Sequence, residues 1–214
     1  MAELIQRNVV IIPPREVWPL ILEESQALKI LLDTYFKGAY FTLSSKKGKP
    51  MPHVSLYQAA YPATVNQRML EDTIEEETVR TKPFTVSMNS RMEVFSHEWI
   101  WWGARKTKPL VTLHNALVKA LNPWRQGQLL PIHKELLHGG SLSKECKRSL
   151  RLFGNPLCKS TFAPHITLTR AKKPFLNVRP PLPSLTFTVD TLYLTTVGEH
   201  GTCPEILERF LFQG

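Results

Sequence analysis

The chain has 214 residues, 43% hydrophobic and 21% charged, a balance that fits one packed domain or two small lobes sharing a core and argues against disorder, collagen and coiled coil. Twenty-seven Lys and Arg against 18 Asp and Glu leave a net charge of +9, so an anionic partner is expected, whether nucleic acid, nucleotide or an anionic membrane surface. Cys146, Cys158 and Cys203 are an odd count with no C-x-x-C spacing, and the opening run MAELIQRNVVIIPP is neither a signal peptide nor a membrane span; a reducing, cytoplasmic setting is expected and a disulfide framework or zinc ribbon is not.

In chain order, the β-branched run Asn8 to Ile12, cut by Pro13 and Pro14, predicts a strand, and the apolar spacing over Val17 to Asp33 predicts a helix. Ala39 to Leu43 reads as a short strand, SSKKGKP (44–50) as a basic turn, and His53 to Ala60 as a second strand. Thr64 to Arg80 contains EDTIEEETVR and predicts a helix with an acidic, solvated face. Three strand-like pieces follow, Phe84 to Met88, Met92 to Phe95 and Trp99 to Trp102, then a helix over Pro109 to Leu121. Leu129 to Leu137 and Ser143 to Phe153 read as helices separated by Gly139 and Gly140, and Phe162 to Thr169 as a strand. A proline-rich connector (174–183) leads to one or two strands over Leu185 to Thr196, and a helix over Cys203 to Phe212, starting at Pro204, is expected to close the chain.

One short pattern occurs twice. Pro52-His53-Val54-Ser55-Leu56 returns as Pro164-His165-Ile166-Thr167-Leu168, 112 residues later. On a strand, residues two apart share a face. His53, Ser55 and Tyr57 are therefore expected on one side, as are His165, Thr167 and Thr169, with Val54, Leu56, Ile166 and Leu168 in the core. Each strand would hold one imidazole beside one hydroxyl. Two imidazoles brought together supply a base and an acid for attack at phosphorus, and the hydroxyls of Ser55 and Thr167 can donate to the non-bridging oxygens.

These residues resemble the 2H phosphoesterase superfamily, named for two H-x-[S/T]-x motifs, and its RNA 2',3'-cyclic phosphodiesterase or 2',5' RNA ligase branch. The stretch WIWWGARKTKPLVTLHNALVKAL sits where that family has an apolar strand and a helix, and VDTLYLTTVGEHG looks like its closing strand and loop. The resemblance implies an α+β, two-lobed, pseudo-symmetric fold, a single bilobal unit over 1–214 with antiparallel sheets around a central cleft and helices outside. The first-motif lobe is placed at about 40–105 and the second at about 160–200. It also implies a hydrolase of RNA processing that acts on RNA ends or nucleotides bearing 2',3'-cyclic phosphates or 2',5' linkages, without metal or cofactor. His165 would activate water and His53 would protonate the departing 3' oxygen, roles that reversal of the reaction exchanges. The first motif departs from the bacterial pattern in lying 40-odd residues further along and in using Ser. An RNA-binding module with little or no turnover is the alternative.

Beside the motifs, Arg170 is the candidate phosphate contact, and Lys46, Lys47, Lys49, Lys172 and Lys173 are expected to border the cleft. Tyr57 and Phe162 are candidates for stacking on a base, although a core or rim place suits each better. Trp99, Trp101 and Trp102 are expected in the core. Lys144, Lys147, Arg148 and Arg151 form a basic stripe, read as solvated surface. His97, His114, His133, His138 and His200 lack motif context and show no metal-ligand spacing. A monomer is expected.

Overall fold

The computed structural model describes residues 3–35, 38–96, 98–139, 142–172 and 181–214. Its strands are β1 (Leu4–Ile11), β2 (Val54–Pro62), β3 (Phe84–Phe95), β4 (Trp99–Ala104), β5 (His165–Arg170), β6 (Thr186–Val189), β7 (Thr191–Thr196) and β8 (Ile206–Leu211). Its helices are α1 (Trp18–Tyr35), α2 (Gln67–Val79), α3 (Lys108–Leu121), α4 (Pro131–His138) and α5 (Lys144–Phe153). The strands join in the order β6-β3-β4-β5-β2-β1-β7-β8, and every pairing is antiparallel.

This order splits into two sets of four that meet at β5 and β2, the two motif strands. The halves interleave along the chain. Residues 40–105 supply β2 to one set and β3 and β4 to the other, while 160–200 supply β5 and β6 to one and β7 to the other. At the seam the strands meet at Val54 and Ile166, so both histidines stand at the centre of the sheet rather than at an edge.

Helices cover the sheet by the apolar stripes their sequences carry. Leu110, Leu113, Leu117, Val118 and Leu121 of α3 are buried, which follows from their three- and four-residue spacing. The Ser25 hydroxyl of α1 donates to the Leu168 carbonyl at 2.6 Å and accepts from the Leu43 amide at 3.0 Å, tying helix, motif strand and the 39–43 segment together. Asn66 caps α2 and Ser143 caps α5 through their side chains.

Three elements differ from expectation. The closing segment is strand β8, paired along β7, because its apolar residues suit either period over so few residues and the open edge of β7 decides. Ala39 to Leu43 makes only an isolated bridge, Ala39 to Ala171, and Tyr40 donates to the Arg170 carbonyl. The pieces at 84–88 and 92–95 are one strand, irregular between Met88 and Met92. His97, Gly140, Lys173 and the 174–180 part of the connector lie outside the described residues. Among the described residues no helix is long and apolar enough to cross a membrane, and the three cysteines are unpaired.

Candidate active site

The seam sets the geometry. With Val54 opposite Ile166 in antiparallel register, His53 comes level with Thr167, and His165 with Ser55. Each imidazole thus stands across from the hydroxyl of the other motif. Both motif strands then break their alternation at the same point. β1 pairs Val9 with Tyr57 and Val10 with Ser55, which leaves Leu56 as an extra residue; β4 pairs Ile100 with Thr169 and Trp101 with Thr167, which leaves Leu168 extra. A bulge moves every later residue to the opposite face.

The bulges correct the reading of the flanking residues. Tyr57 turns inward, is 1% exposed, and its hydroxyl donates to the Phe153 carbonyl at 2.8 Å and to Asn122 Oδ1 at 3.1 Å. Thr169 turns inward likewise, bonded to the Phe41 carbonyl. Gln58 and Arg170 take the places that alternation gave to Tyr57 and Thr169, and both line the cleft. Phe162 is 3% exposed and stacks on His114 with ring centroids 3.7 Å apart. Tyr57 and Phe162 both border the cleft, but each is almost wholly buried, in keeping with a core or rim place.

His53 and His165 line one cleft of about 890 Å³ together with Ser55, Thr167 and Arg170. The Nδ1 of His53 lies 2.9 Å from the Met51 carbonyl, and that of His165 lies 2.6 Å from the Ala163 carbonyl. A carbonyl only accepts, so each Nδ1 carries a proton and each Nε2 is left as the nitrogen able to exchange one. The surroundings push the two rings apart. Burial lowers the His53 pKa, but the neighbouring Cys203 sulfur and the Met51 carbonyl favour its protonated form and hold it above the ordinary 6.5. Burial dominates at His165, and with the charge of His53 it outweighs the Ala163 carbonyl, pushing the ring down to about 4.

Several side chains that complete the site carry little local signal. Asn8 of β1, fully buried, donates from Nδ2 to Ser55 Oγ at 2.8 Å and reaches Cys203 Sγ at 3.7 Å. Thr195 donates to the same sulfur at 3.1 Å. Trp99 is half-buried at the cleft, Trp101 is buried in the cleft wall, and Trp102 is fully buried. Trp101 stacks between His165 and Phe95, at 3.7 Å and 4.4 Å between centroids. The two-residue alternation already put Trp99 and Trp101 on one face; which face was open depended on the partner strand.

Arg170 is already paired. Its Nε donates to Glu98 Oε2 at 2.9 Å, its Nη2 bonds the same oxygen, and its Nη1 lies 2.8 Å from His200 Nδ1. The guanidinium also lies over Trp99 and Tyr40. His200, given no role by its sequence context, thereby borders the cleft, and burial and Arg170 lower its pKa. His114 is structural: it donates to the Leu56 carbonyl at 2.7 Å and accepts from the Lys159 amide at 2.9 Å. No group of three His, Cys, Asp or Glu suited to a metal occurs among the described residues.

The 2'-5' RNA ligase superfamily model matches residues 17–201, and no curated protein matches the chain in sequence. Among solved structures, TT0787 of Thermus thermophilus is similar at a TM-score of 0.64 and 19% identity over 98% of each chain. LigT of E. coli in apo form is similar at 0.64 and 17% over 100% of each. The LigT complex with 3'-AMP is similar at 0.57 and 16%, over 99% of this chain and 100% of that one. The α+β fold, with its antiparallel sheet and outer helices, is the fold of these proteins.

Proposed function

The chain belongs to the 2'-5' RNA ligase superfamily, and from that premise we propose that it is a metal-independent phosphodiesterase acting on RNA ends or nucleotides with 2',3'-cyclic phosphate or 2',5' linkages. His165 and His53 carry the proton transfers. The observation that carries this reading is the pair of imidazoles on adjacent central strands, each held by a carbonyl at Nδ1 and each across from the other motif's hydroxyl. Binding of 3'-AMP by LigT, a protein of similar fold, supports a nucleotide as ligand.

For a 2',3'-cyclic phosphate the steps balance as follows. Nε2 of His165 takes a proton from water as its oxygen bonds to phosphorus. The bond from phosphorus to O3' breaks, and Nε2 of His53 gives its proton to O3', leaving a 2'-phosphate and a free 3' hydroxyl. Ser55 and Thr167 donate to the non-bridging oxygens as their charge grows. The raised His53 and lowered His165 suit the acid and the base in this direction. We further infer a monomer working as one bilobal unit in the cytoplasm, a compartment in which three unpaired cysteines are stable.

The test is incubation of the protein, with EDTA, on adenosine 2',3'-cyclic phosphate and on a short RNA ending in that group, with chromatography resolving 2'- from 3'-phosphate. A 2'-phosphate product is expected from wild type and from neither His53→Ala nor His165→Ala. Full turnover in either variant, or a requirement for metal, would overturn the mechanism.

A further inference from the structure

The basic stripe of α5 has a position that sequence alone did not reveal. Lys144, Arg148 and Arg151 are exposed and Lys147 is half-buried, while Ser149 and Leu150 on the opposite side are buried. Among the described residues none of the four cations has an acidic partner within ion-pair distance. The helix that carries the stripe is bonded to the strand that follows His53.

Four bonds do the fixing. Tyr57 of β2 donates to the Phe153 carbonyl. Buried Arg125 donates to the Arg151 and Leu152 carbonyls at 3.4 and 3.1 Å. Just past the helix, Asn155 Nδ2 reaches the Gln58 carbonyl at 3.3 Å. Residues on both sides of α5, Leu136 and Leu142 before it and Asn155 to Cys158 after it, line the cleft wall. The stripe and the two histidines therefore belong to one rigid frame.

Charge is distributed to match. The acidic run Glu71, Asp72, Glu75, Glu76 and Glu77 lies on α2, which packs against α3, β7 and β8. The single carboxylate among the described cleft residues is Glu98, paired with Arg170. The α4–α5 wall itself carries exposed Glu135 and Glu145, so a polyanion leaving the cleft over it meets four unpaired cations against two carboxylates. From Lys144 to Arg151 the helix rises by roughly 10 Å, room for a few phosphates of a single strand.

Resting on the function proposed above, we propose that α5 is a docking track for the single-stranded RNA upstream of the reacting phosphate, so that the preferred substrate is an oligonucleotide end rather than a free nucleotide. Recognition is of the phosphate backbone and independent of base sequence.

The test compares wild type with a variant carrying Lys144→Gln, Lys147→Gln, Arg148→Gln and Arg151→Gln together, changes that keep helix propensity. Turnover is read on adenosine 2',3'-cyclic phosphate and on a 12-nucleotide RNA ending in that group. Binding is read separately by fluorescence anisotropy of a labelled 12-nucleotide RNA ending in 2'-phosphate, between 50 and 200 mM salt. The variant is expected to keep mononucleotide turnover within about twofold and to lose about tenfold or more in RNA affinity and in kcat/KM on the RNA. Its plot of log affinity against log salt should be shallower by about 0.7 for each phosphate that the variant no longer neutralises. Equal RNA affinity and salt slope in the two proteins would overturn the proposal, as would loss of binding to phosphatidylserine vesicles with RNA binding intact. Should wild type turn over neither substrate, the cyclic-phosphate reading fails, and loss of RNA affinity in the variant still establishes α5 as an RNA-binding track.

Discussion

The indole of Trp101 lies face to face with the imidazole of His165, centroids 3.7 Å apart and planes 14° from parallel. The ring of His165 is thus held on one side by a broad surface and at Nδ1 by the Ala163 carbonyl, so Nε2 keeps a fixed direction into the cleft. Stacked aromatic pairs contribute about 0.5–1.5 kcal/mol. Trp101→Ala is expected to lower kcat by about tenfold with little change in KM, and Trp101→Phe to recover most of that loss. Steady-state kinetics on the cyclic phosphate substrate read both.

The opposed shifts at the two histidines fix a pH profile. In the mechanism proposed, the base must be neutral, which for His165 holds above about 4. The acid must be protonated, which for His53 holds below a pKa that stands above 6.5. The kcat/KM profile is therefore expected to rise through an acid limb near 4, run flat, and fall on an alkaline limb above 6.5. Cys203→Ser removes the sulfur that favours protonated His53 and should move the alkaline limb to lower pH while leaving the acid limb in place. An alkaline limb unmoved by that change would contradict the role given to Cys203.

Asn8 gives Ser55 Oγ a hydrogen bond from behind, which leaves the Ser55 proton free to turn toward the cleft. Ser55→Ala is expected to reduce kcat by about tenfold to a thousandfold, and Asn8→Ala by about tenfold. If Asn8 acts through Ser55, adding Asn8→Ala to Ser55→Ala costs nothing further. Additive losses in that double-mutant cycle would place Asn8 outside the serine's function.

Arg125 is a stability device. At 3% exposure, it has no carboxylate partner among the described residues, and its guanidinium instead bonds the Gln128, Arg151 and Leu152 carbonyls and Asn122 Oδ1. Carbonyls at a helix C-terminus favour a cation. Arg125→Met is expected to cost about 2–4 kcal/mol, because several buried acceptors lose charged donors together. Gly154 follows α5 with φ of 74°, and a Cβ there would stand 2.5 Å from Arg125 Cδ. Gly154→Ala should therefore cost about 1–2 kcal/mol from backbone strain alone, with the steric clash in addition. Denaturant unfolding of the two variants measures both.

The placing of the two motifs was legible where it rested on neighbours in sequence. A histidine two residues from a hydroxyl on a strand is a local statement, its repetition 112 residues on marked the second copy, and the pairing of β2 with β5 brings both to one cleft. What escaped depended on partners far along the chain. The bulges at Leu56 and Leu168 arise from registers with β1 and β4, so alternation alone did not show that Tyr57, although it borders the cleft, is buried. Asn8 looked like the first residue of a buried run, since its bond to Ser55 spans 47 positions. β8 lacked a pattern of its own, and its conformation comes from the edge it joins.

The bulges also give the cleft a direction. By repeating at equivalent places they put Gln58 and Arg170 at corresponding positions on either side of the central axis, one a neutral amide and the other a guanidinium paired with Glu98 and His200. A near-mirror pair of strands thus ends in unlike gateposts. A ligand with two different ends would therefore meet a neutral amide at one end of the cleft and a guanidinium at the other, and the two ways of laying it in the cleft are not equivalent.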